Sequence, residues 1–302
     1  MTGKPQVLVT GSTGRLGSLV AVASRDDYGL RPRILVRDHN LGTDWQPPRG
    51  MDVAVGDYTD SGSLRTALED VAAVFLISPV HPDMVTRECA LVDVAAELRT
   101  HPRIVKVSGL ATELDSPVDS GRWHARIEEA IKNTDLPAVF LRPSFFMQNL
   151  GFQADSVRTR GLLRGAVGDA SIAMVDARDI ADVAAAILSG RASPDSQAVD
   201  LTTSRGWSYD QIAAALSHAF QRRVDYQRQT ADEVRSALVA AGQPDWHIRI
   251  LLQFNSAFIA GQGSRLSNSV RQVLGREPRT LEDYLQELAG GAATTGADPF
   301  PS

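Results

Sequence analysis

The sequence is poor in cysteine, with Cys89 as the one residue of this type among 302. A single cysteine excludes an intrachain disulfide and fits a reducing compartment. It also excludes a structural zinc site built on several thiolates. Cys89 lies in an apolar stretch with helical spacing, which favours a small core residue over a reactive thiol.

The sequence also lacks the segments that direct a chain into or across a membrane. It has no run of about 18 apolar residues, so we expect no membrane-spanning helix. The opening residues, MTGKPQVLVTG, have neither a long apolar stretch nor a small-residue cleavage site. We therefore expect no secretory signal and a cytoplasmic protein.

An excess of basic residues is missing as well. The 31 Lys and Arg residues stand against 36 Asp and Glu, for a formal charge of −5. We therefore expect no nucleic-acid partner. Hydrophobic residues make up 43% of the chain, which is enough to bury a sizeable core, and the length is typical of about two domains.

Strand-like and helix-like patterns alternate over the first half of the chain. The predicted strands are residues 6–10, 33–36, 52–55, 73–78, 103–108 and 138–142. The predicted helices between them are residues 15–24, 61–68, 83–99 and 123–133. This alternation is typical of an α/β fold with a Rossmann-type, doubly wound parallel sheet and right-handed crossovers.

The second half is mostly helical, after a stretch at 146–172 with few clear elements. The predicted helices are residues 179–189, 208–220 with Ser208 as N-cap, 230–241, 245–260, 266–274 and 280–288. Residues 199–202 are a candidate strand that returns to the sheet. We predict a Rossmann domain over 1–150, resumed at about 172–204, a smaller and mostly helical C-terminal lobe over 151–171 and 205–288, and a disordered tail over 289–302.

A glycine-rich loop follows the first predicted strand and opens the first predicted helix. It consists of Gly11, Ser12, Thr13, Gly14, Arg15, Leu16 and Gly17. In such a loop the first glycine makes the tight turn, the second lets backbone approach a phosphate, and the third lets the helix pack closely on the strand. The helix N-terminus offers free N–H groups to a pyrophosphate. The loop therefore predicts a dinucleotide site, and the alternative is a glycine-rich turn without a ligand.

The ends of the next two strands bear on which dinucleotide is bound. Arg37 ends the second strand, where NAD-specific sites usually have an acid, and a guanidinium there suits the 2′-phosphate of NADP. Arg15 in the loop is a candidate for a second positive charge at the phosphate, whereas Asp38 argues against an NADP site. The alternative for Arg37 is an exposed charge at the end of a strand without a ligand. Asp57, after the third strand, can accept from the adenine amino group or cap the next helix. We predict NADP(H) over NAD(H).

Several sequence blocks together carry a family resemblance. They are VLVTGSTGRLG, the strand ending LVR, GDYTD, HARIEEAIKNTDLPAVFLRPSFFMQNL, MVDARDIADVAAAIL and VLGREPRTLEDYLQE. They cover nearly the whole chain and resemble the NmrA-like, atypical short-chain dehydrogenase/reductase family. The resemblance implies a Rossmann domain with a small C-terminal lobe. It implies a function among NAD(P)H-dependent quinone and dye reductases, biosynthetic reductases, and redox-sensing regulators that bind the dinucleotide without turnover.

The resemblance also implies which residues contact the cofactor. These are Gly11 to Leu16 of the loop, Arg37, Asp57 and Tyr58, then Ile77 and Ser78 beside the ribose, and Pro143, Ser144, Phe145 and Phe146 beside the nicotinamide.

The helix after the fifth strand lacks the Tyr-x-x-x-Lys pair of the wider superfamily. His124 and Glu128 stand there instead, one turn apart on a shared face. A histidine can donate a proton near neutral pH, and a neighbouring carboxylate favours its charged form. Ser108, after the fifth strand, is a candidate to bind a substrate carbonyl oxygen. The alternatives are a surface His–Glu pair and a turn-capping serine.

Aromatic residues are few, at 6%, but several follow the predicted strand ends. Phe145, Phe146 and Met147 are candidate walls of the nicotinamide site. Trp246, Phe254 and Phe258 are candidates for an apolar substrate pocket, although their helical spacing is also typical of core.

Three functions share these features. The first is an NADPH-dependent oxidoreductase acting on a small, planar, electron-poor molecule such as a quinone, imine or conjugated carbonyl. The second is a dinucleotide-sensing regulator without turnover, and the third is a non-redox isomerase or cyclase. The missing Tyr/Lys pair argues against alcohol–ketone chemistry more than against reduction, because the cofactor supplies the hydride. We expect a small-molecule substrate and no metal.

Overall fold

The computed structural model describes residues 4–37 and 50–291. The strands of its main sheet are β1 (Gln6–Val9), β2 (Arg31–Val36), β3 (Asp52–Val55), β4 (Val71–Leu76), β5 (Arg103–Val107), β6 (Ala138–Pro143) and β10 (Ala198–Leu201). They pair in the order β10-β6-β5-β4-β1-β2-β3, and every pairing is parallel. The predicted parallel, doubly wound sheet is confirmed, and so is the return of a late strand, because β10 pairs with β6.

The strand order reverses between β1 and β4. From β1 the sheet continues to β2 and β3, whereas from β4 it continues to β5, β6 and β10. Because all strands are parallel, their carboxyl ends meet at one edge. Ligands of such sheets bind at this edge, beside the point where the order reverses.

Helices cover both faces of the sheet and make up much of the second half of the chain. They are α1 (Arg15–Asp26), α2 (Ser61–Ala67), α3 (Met84–Ala96), α4 (Asp119–Lys132), α5 (Ala154–Arg160), α6 (Ala177–Leu188), α7 (Tyr209–Ala219), α8 (Ala231–Ala240), α9 (Asp245–Ile259), α10 (Ser269–Leu274) and α11 (Leu281–Ala289). Ser208 caps α7 as predicted, in a reciprocal capping box with Gln211.

Alternate residues of each strand pack into different cores. Val7 and Val9 lie in one apolar cluster with α1 and α6, whereas Leu8 lies in the other with α2, α3 and α4. This is the side-chain alternation of an extended strand buried on both faces. Cys89 packs at the edge of the second cluster, where burial raises the pKa of its thiol to about 11, so the predicted core role is confirmed.

The segment 146–172, predicted to have few elements, contains several short ones. A 3₁₀ helix (Met147–Gln153) and α5 are followed by β8 (Leu162–Gly165), which pairs with β12 (Asp225–Arg228). The strands β7 (Phe145–Phe146), β9 (Ile172–Val175) and β11 (Gly206–Trp207) form a three-stranded sheet. Elements of this length are too short to show a hydrophobic period, which is why the sequence pattern missed them.

Two expectations concern segments at or beyond the described ends. Asp38 and residues 292–302 of the predicted tail lie outside the described residues, whereas Ala289 ends α11. Within residues 4–37 and 50–291, no helix is both long and apolar enough to cross a membrane.

Candidate active site

The glycine loop joins the end of β1 to the start of α1. Gly11 has a φ of +58°, which favours glycine, and it makes the turn. Gly17 packs so closely on the turn that an added Cβ would lie 2.2 Å from the carbonyl oxygen of Gly11. A Cβ on Gly14 would meet only that same oxygen, at 3.3 Å, so the outer side of Gly14 is open. The turn and the close packing are therefore present, and Gly14 leaves room for a phosphate.

The start of α1 offers backbone donors to this open side. Gly14 is the N-cap residue and has no side chain with which to cap the helix. The first N–H groups of a helix have no intrahelical partner, and they mark the positive end of the helix dipole. Ser12 is buried, and its hydroxyl donates to the carbonyl oxygen of Leu35 at 3.2 Å. Its side chain therefore ties the loop to β2, while the backbone of the loop faces outward.

Positive charge surrounds the ends of β2 and β3. Arg37 is exposed directly after β2. The hydroxyl and amide of Thr59 donate to Asp57 and lower the pKa of its carboxyl, and the charges of Arg37 and Arg87 act in the same direction. Asp60, rather than Asp57, caps α2. The sequence did not indicate that Arg87 of α3 acts on Asp57. The pattern of a helix predicts which residues are buried, but not which strand end a given side chain approaches.

Thr10 joins the two strands at the reversal point. Its hydroxyl donates to the carbonyl oxygen of Ile77 at 2.7 Å and accepts from the amide of Ile77 at 2.8 Å. Ile77 in turn lies against Gly11, since a Cβ there would be 2.8 Å from its Cγ2. Tyr58 is mostly enclosed nearby, and burial raises the pKa of its phenol, which keeps it protonated at neutral pH.

A buried polar network lies beneath the carboxyl ends of β4 and β5. The hydroxyl of Ser78 donates to Glu88 Oε1 at 2.7 Å. Lys106 Nζ lies 3.0 Å from Glu88 Oε2 and 3.2 Å from His124 Nδ1. The side chains of Glu88 and Lys106 are both fully buried. Sequence reasoning missed these two residues, although a lysine inside the otherwise apolar strand RIVKV was an available signal.

The predicted pair of His124 and Glu128 is not formed. Glu128 instead accepts from Nε and a terminal nitrogen of Arg142, at 3.1 and 2.5 Å. His124 faces Lys106, and burial together with this positive charge lowers the pKa of the imidazole well below 6.5. The ring is therefore neutral at pH 7, and the predicted charged acid held by a neighbouring carboxylate is wrong. Arg142 of β6 reaches Glu128 because β6 packs beneath α4.

Two enclosed hydroxyl groups lie where β5 and β6 end. The Oγ atoms of Ser108 and Ser144 are buried and have no hydrogen-bond partner in the described part of the chain. Both residues are fixed by their backbones, since their amides donate to the carbonyl oxygens of Leu141 and Leu201 at 2.7 and 3.0 Å. Buried polar groups are rarely without a partner, so these hydroxyls mark positions where a ligand can supply one.

Aromatic rings extend from α9 to the strand ends. Phe254 stacks on Phe258 at 6.1 Å between ring centroids, and Phe258 meets Phe145 edge-on at 6.0 Å. Trp246, two turns before Phe254, meets His81 edge-on at 5.2 Å. Phe145 and Phe146 are half-buried after β6, next to the buried Pro143. Phe145, Phe254 and Phe258 are therefore brought into contact, Trp246 packs with Phe254 against a separate small cluster, and Phe146 packs against the core of α1 and α6.

Met147 and Leu16 are enclosed in the apolar cores. Met147 is fully buried in the cluster of the smaller lobe and offers no surface to a pocket. Leu16 is buried against the sheet, so that only its backbone is placed to meet a ligand. Arg15 is half-buried and Thr13 is exposed at the tip of the loop. In residues 4–37 and 50–291 there is no group of three or more His, Cys, Asp or Glu residues placed to hold a metal ion.

A clasp at Asp119 holds α9 to the start of α4. Arg249 Nε donates to Asp119 Oδ2 at 2.7 Å, and the amide of Asp119 donates to Gln253 Oε1 at 2.9 Å. Asp119 is also paired with Arg122. Because α9 carries the aromatic rings and α4 carries His124, the clasp sets the position of one wall of the site against the other.

We expect Arg249→Ala to loosen α9 without unfolding the sheet. The guanidinium is half-exposed and Asp119 keeps Arg122, so the local cost is about 1 kcal/mol, equivalent to about fivefold faster amide exchange in α9. Hydrogen exchange measured by mass spectrometry tests this. Arg271→Ala, which breaks the exposed pair with Glu277, is the control. Unchanged protection of α9 in the first variant would contradict the role of the clasp.

Comparisons with known proteins identify similar sequences and a similar fold. The chain is 31% identical to an NAD(P)H azoreductase of Xenophilus azovorans, over 95% of this chain and 100% of the relative. It is also 31% identical to a (4-alkanoyl-5-oxo-2,5-dihydrofuran-3-yl)methyl phosphate reductase of Streptomyces griseus, over 94% of this chain and 98% of the relative. Its fold is similar to the crystal structure of an NADPH-dependent quinone oxidoreductase of Escherichia coli complexed with NADPH, with a TM-score of 0.81 at 23% identity, covering 93% of this chain and 99% of the other.

A family profile gives the broadest match. The profile of the NmrA-like family covers residues 3–285, from the first strand through most of α11. This coverage exceeds nine-tenths of the chain, and the relative with 31% identity likewise matches 95% of it. The protein therefore belongs to the NmrA-like family.

Proposed function

We propose that this protein is an NADPH-dependent oxidoreductase that reduces a small, planar, apolar and electron-poor molecule. The observation that carries the proposal is the open, uncapped start of α1 at Gly14, with the exposed Arg37 at the end of β2. The first suits a pyrophosphate and the second a ribose 2′-phosphate. The names of the azoreductase and quinone oxidoreductase relatives support the same activity.

The residues at the carboxyl edge fit such a cofactor. Backbone N–H groups of the glycine loop bind the pyrophosphate, and Arg37 pairs with the 2′-phosphate. Asp57 and Tyr58 lie toward the adenine, Ile77 and Ser78 toward the ribose, and the segment from Pro143 to Phe146 toward the nicotinamide. When bound, the cofactor supplies the hydride.

The substrate end of the site combines apolar rings with a few polar groups. Phe145, Phe254 and Phe258 present a row of aromatic surface that suits a flat, apolar molecule and excludes water from it. The unpartnered hydroxyls of Ser108 and Ser144 support a hydrogen bond to an oxygen or nitrogen of the substrate. This combination favours a quinone, imine, azo or conjugated carbonyl group over a polar or highly charged substrate.

We expect Arg37→Ala to weaken NADPH binding about 10- to 100-fold while leaving NADH binding nearly unchanged. A hydrogen bond to a charged group contributes about 1.5–3 kcal/mol to binding. NADH has no 2′-phosphate, so it makes no such contact with Arg37 and its affinity is unaffected. Titration of cofactor fluorescence measures both affinities. Arg31→Ala, at the opposite end of the same strand, is the matched control because its guanidinium faces Asp52. Equal affinity of the natural protein for both cofactors would remove the role of Arg37.

A turnover screen tests the activity itself. Oxidation of NADPH is followed with quinones, azo dyes and imines, and the proposal expects turnover with at least one of these classes. Tight NADPH binding without turnover of any of these classes would favour the hypothesis of a dinucleotide sensor over that of an enzyme. If NADPH does not bind at all, the hypothesis of a non-redox isomerase or cyclase remains.

A further inference from the structure

The ammonium of Lys106 is surrounded by three acceptors. Its Nζ contacts the carbonyl oxygen of Val107, lies 3.0 Å from Glu88 Oε2 and lies 3.2 Å from His124 Nδ1. A lysine ammonium has three N–H donors and no lone pair. The contacts with the Val107 oxygen and with His124 Nδ1 have hydrogen-bond geometry, the contact with Glu88 is an ion pair, and the lysine side chain is fully buried.

The contact with Lys106 decides which nitrogen of His124 carries the proton. Lys106 forms a buried ion pair with Glu88, and an ammonium can only donate. Nδ1 of His124 must then accept, so that the one proton of the neutral ring lies on Nε2. Of the other charged groups nearby, Glu128 on α4 is bound by Arg142 of β6, and Glu88 of α3 is paired with Lys106.

The second nitrogen of the ring remains available. Nε2 of His124 has no hydrogen-bond partner among residues 4–37 and 50–291, and it is not one of the fully enclosed polar atoms that lack a partner. The residue as a whole is partly buried. An Nε2–H donor is therefore left without a protein partner in the described part of the chain, and a ligand can supply one.

We propose that Lys106 is a positioning residue that holds His124 as a neutral imidazole with its proton on Nε2. In this state the ring donates a hydrogen bond to the electron-poor group of a substrate and keeps its own proton. The choice of that substrate group rests on the proposed function, whereas the state of the ring is a property of the protein alone. Glu88 and Ser78 support this arrangement. Glu88 forms the ion pair with the ammonium, and Ser78 donates a hydrogen bond to Glu88.

Nitrogen NMR of the protein without substrate tests the state of the ring. Histidine side chains are labelled with ¹⁵N, and the His124 signals are assigned by their loss in His124→Gln. The proposal expects a single neutral Nε2–H tautomer that does not titrate between about pH 5.5 and 8, the range around an ordinary histidine pKa. A ring protonated on Nδ1, or one that titrates near the ordinary pKa of 6.5, would overturn the proposal.

A charge-neutral double variant tests the part played by Lys106. Lys106→Met with Glu88→Gln removes both buried charges together, so that neither is left alone in the core. We expect the pKa of His124 to rise by about one to three pH units when the positive charge is gone. A folded double variant in which both the tautomer and the pKa are unchanged would show that Lys106 does not set the ring.

Activity then separates this inference from the proposed function. His124→Leu should lower turnover at least about tenfold, the value of one such hydrogen bond, and His124→Gln, which retains a side-chain N–H donor, should recover part of that loss. If no substrate class is turned over but the NMR result is as expected, the proposed function fails and the role of Lys106 stands. If a substrate is turned over but His124 titrates near its ordinary pKa, the proposed function stands and the role of Lys106 fails.

Discussion

Asp179→Ala lowers the free energy of unfolding by about 3 kcal/mol, the largest effect on stability that we expect. Asp179 is fully buried on α6 and accepts from Arg276 at 2.8 Å and from the amide of Arg279 at 2.7 Å, besides the Arg279 guanidinium. Its removal takes one of two aspartate partners from each of Arg276 and Arg279. Because both guanidinium groups are partly exposed and keep Asp182, the cost lies at the lower end for a broken buried pair.

Thermal unfolding followed by circular dichroism measures this effect, with an expected fall in Tm of about 5–10 °C. Asp182→Ala is the matched control. It removes the second aspartate of the same cluster, but its side chain is 23% exposed, so we expect a loss of about 1 kcal/mol. Equal effects of the two variants, or a Tm for Asp179→Ala within a degree or two of the natural protein, would contradict the assignment.

The cluster at Asp179 shows what the sequence pattern can and cannot predict. The helix at 179–189 follows from its apolar spacing, and the acidic start of that helix was visible in DIADVAAAIL. The partners of Asp179 were not visible, because Arg276 and Arg279 lie about a hundred residues later and reach α6 only after α10 and α11 have packed. Local spacing predicts elements, whereas pairing across elements depends on how they pack.

The same limit explains the error at His124. Two titratable residues one turn apart on a helix predict a contact between them. In the folded protein β6 lies beneath α4, and Arg142 takes Glu128 in a two-pronged contact that is stronger than a helix-surface pair. His124 is left to Lys106, which comes from the neighbouring strand β5. The positions of both residues were predicted correctly, but their partners were not.

The glycine loop could be predicted almost completely. Its requirements are local, since a turn, an open backbone and a close contact are all met within Gly11, Gly14 and Gly17. The alternation of strands and helices placed the loop at the edge of a parallel sheet, where the other candidate residues also follow their strands. The fold and the glycine loop were therefore predictable, whereas the buried network of Glu88, Lys106 and His124 was not.

Alanine at Gly17 and alanine at Gly14 should separate the packing role of the loop from its binding role. Within a helix alanine is ordinarily favoured over glycine by about 1 kcal/mol. At Gly17 the added Cβ would lie 2.2 Å from the oxygen and 2.5 Å from the carbon of the Gly11 carbonyl, so the backbone must move. The substitution therefore lowers the free energy of unfolding instead of raising it. We expect Gly17→Ala to lower the Tm and to weaken NADPH binding about 100-fold, because the start of α1 is displaced.

Gly14→Ala should act mainly on binding. Its φ of −89° suits any residue, but the new Cβ would lie 3.3 Å from the Gly11 carbonyl oxygen, which is a tight contact, and alanine is a poorer N-cap than glycine. We therefore expect a loss of stability of about 1 kcal/mol, smaller than that of Gly17→Ala. The methyl group occupies the side on which the pyrophosphate approaches, so NADPH affinity should fall about 10- to 100-fold. Unchanged binding by Gly14→Ala would mean that the open side does not face the cofactor. An unchanged Tm for Gly17→Ala would mean that the close contact does not hold α1, because the added methyl can be avoided only by moving the helix away from the turn.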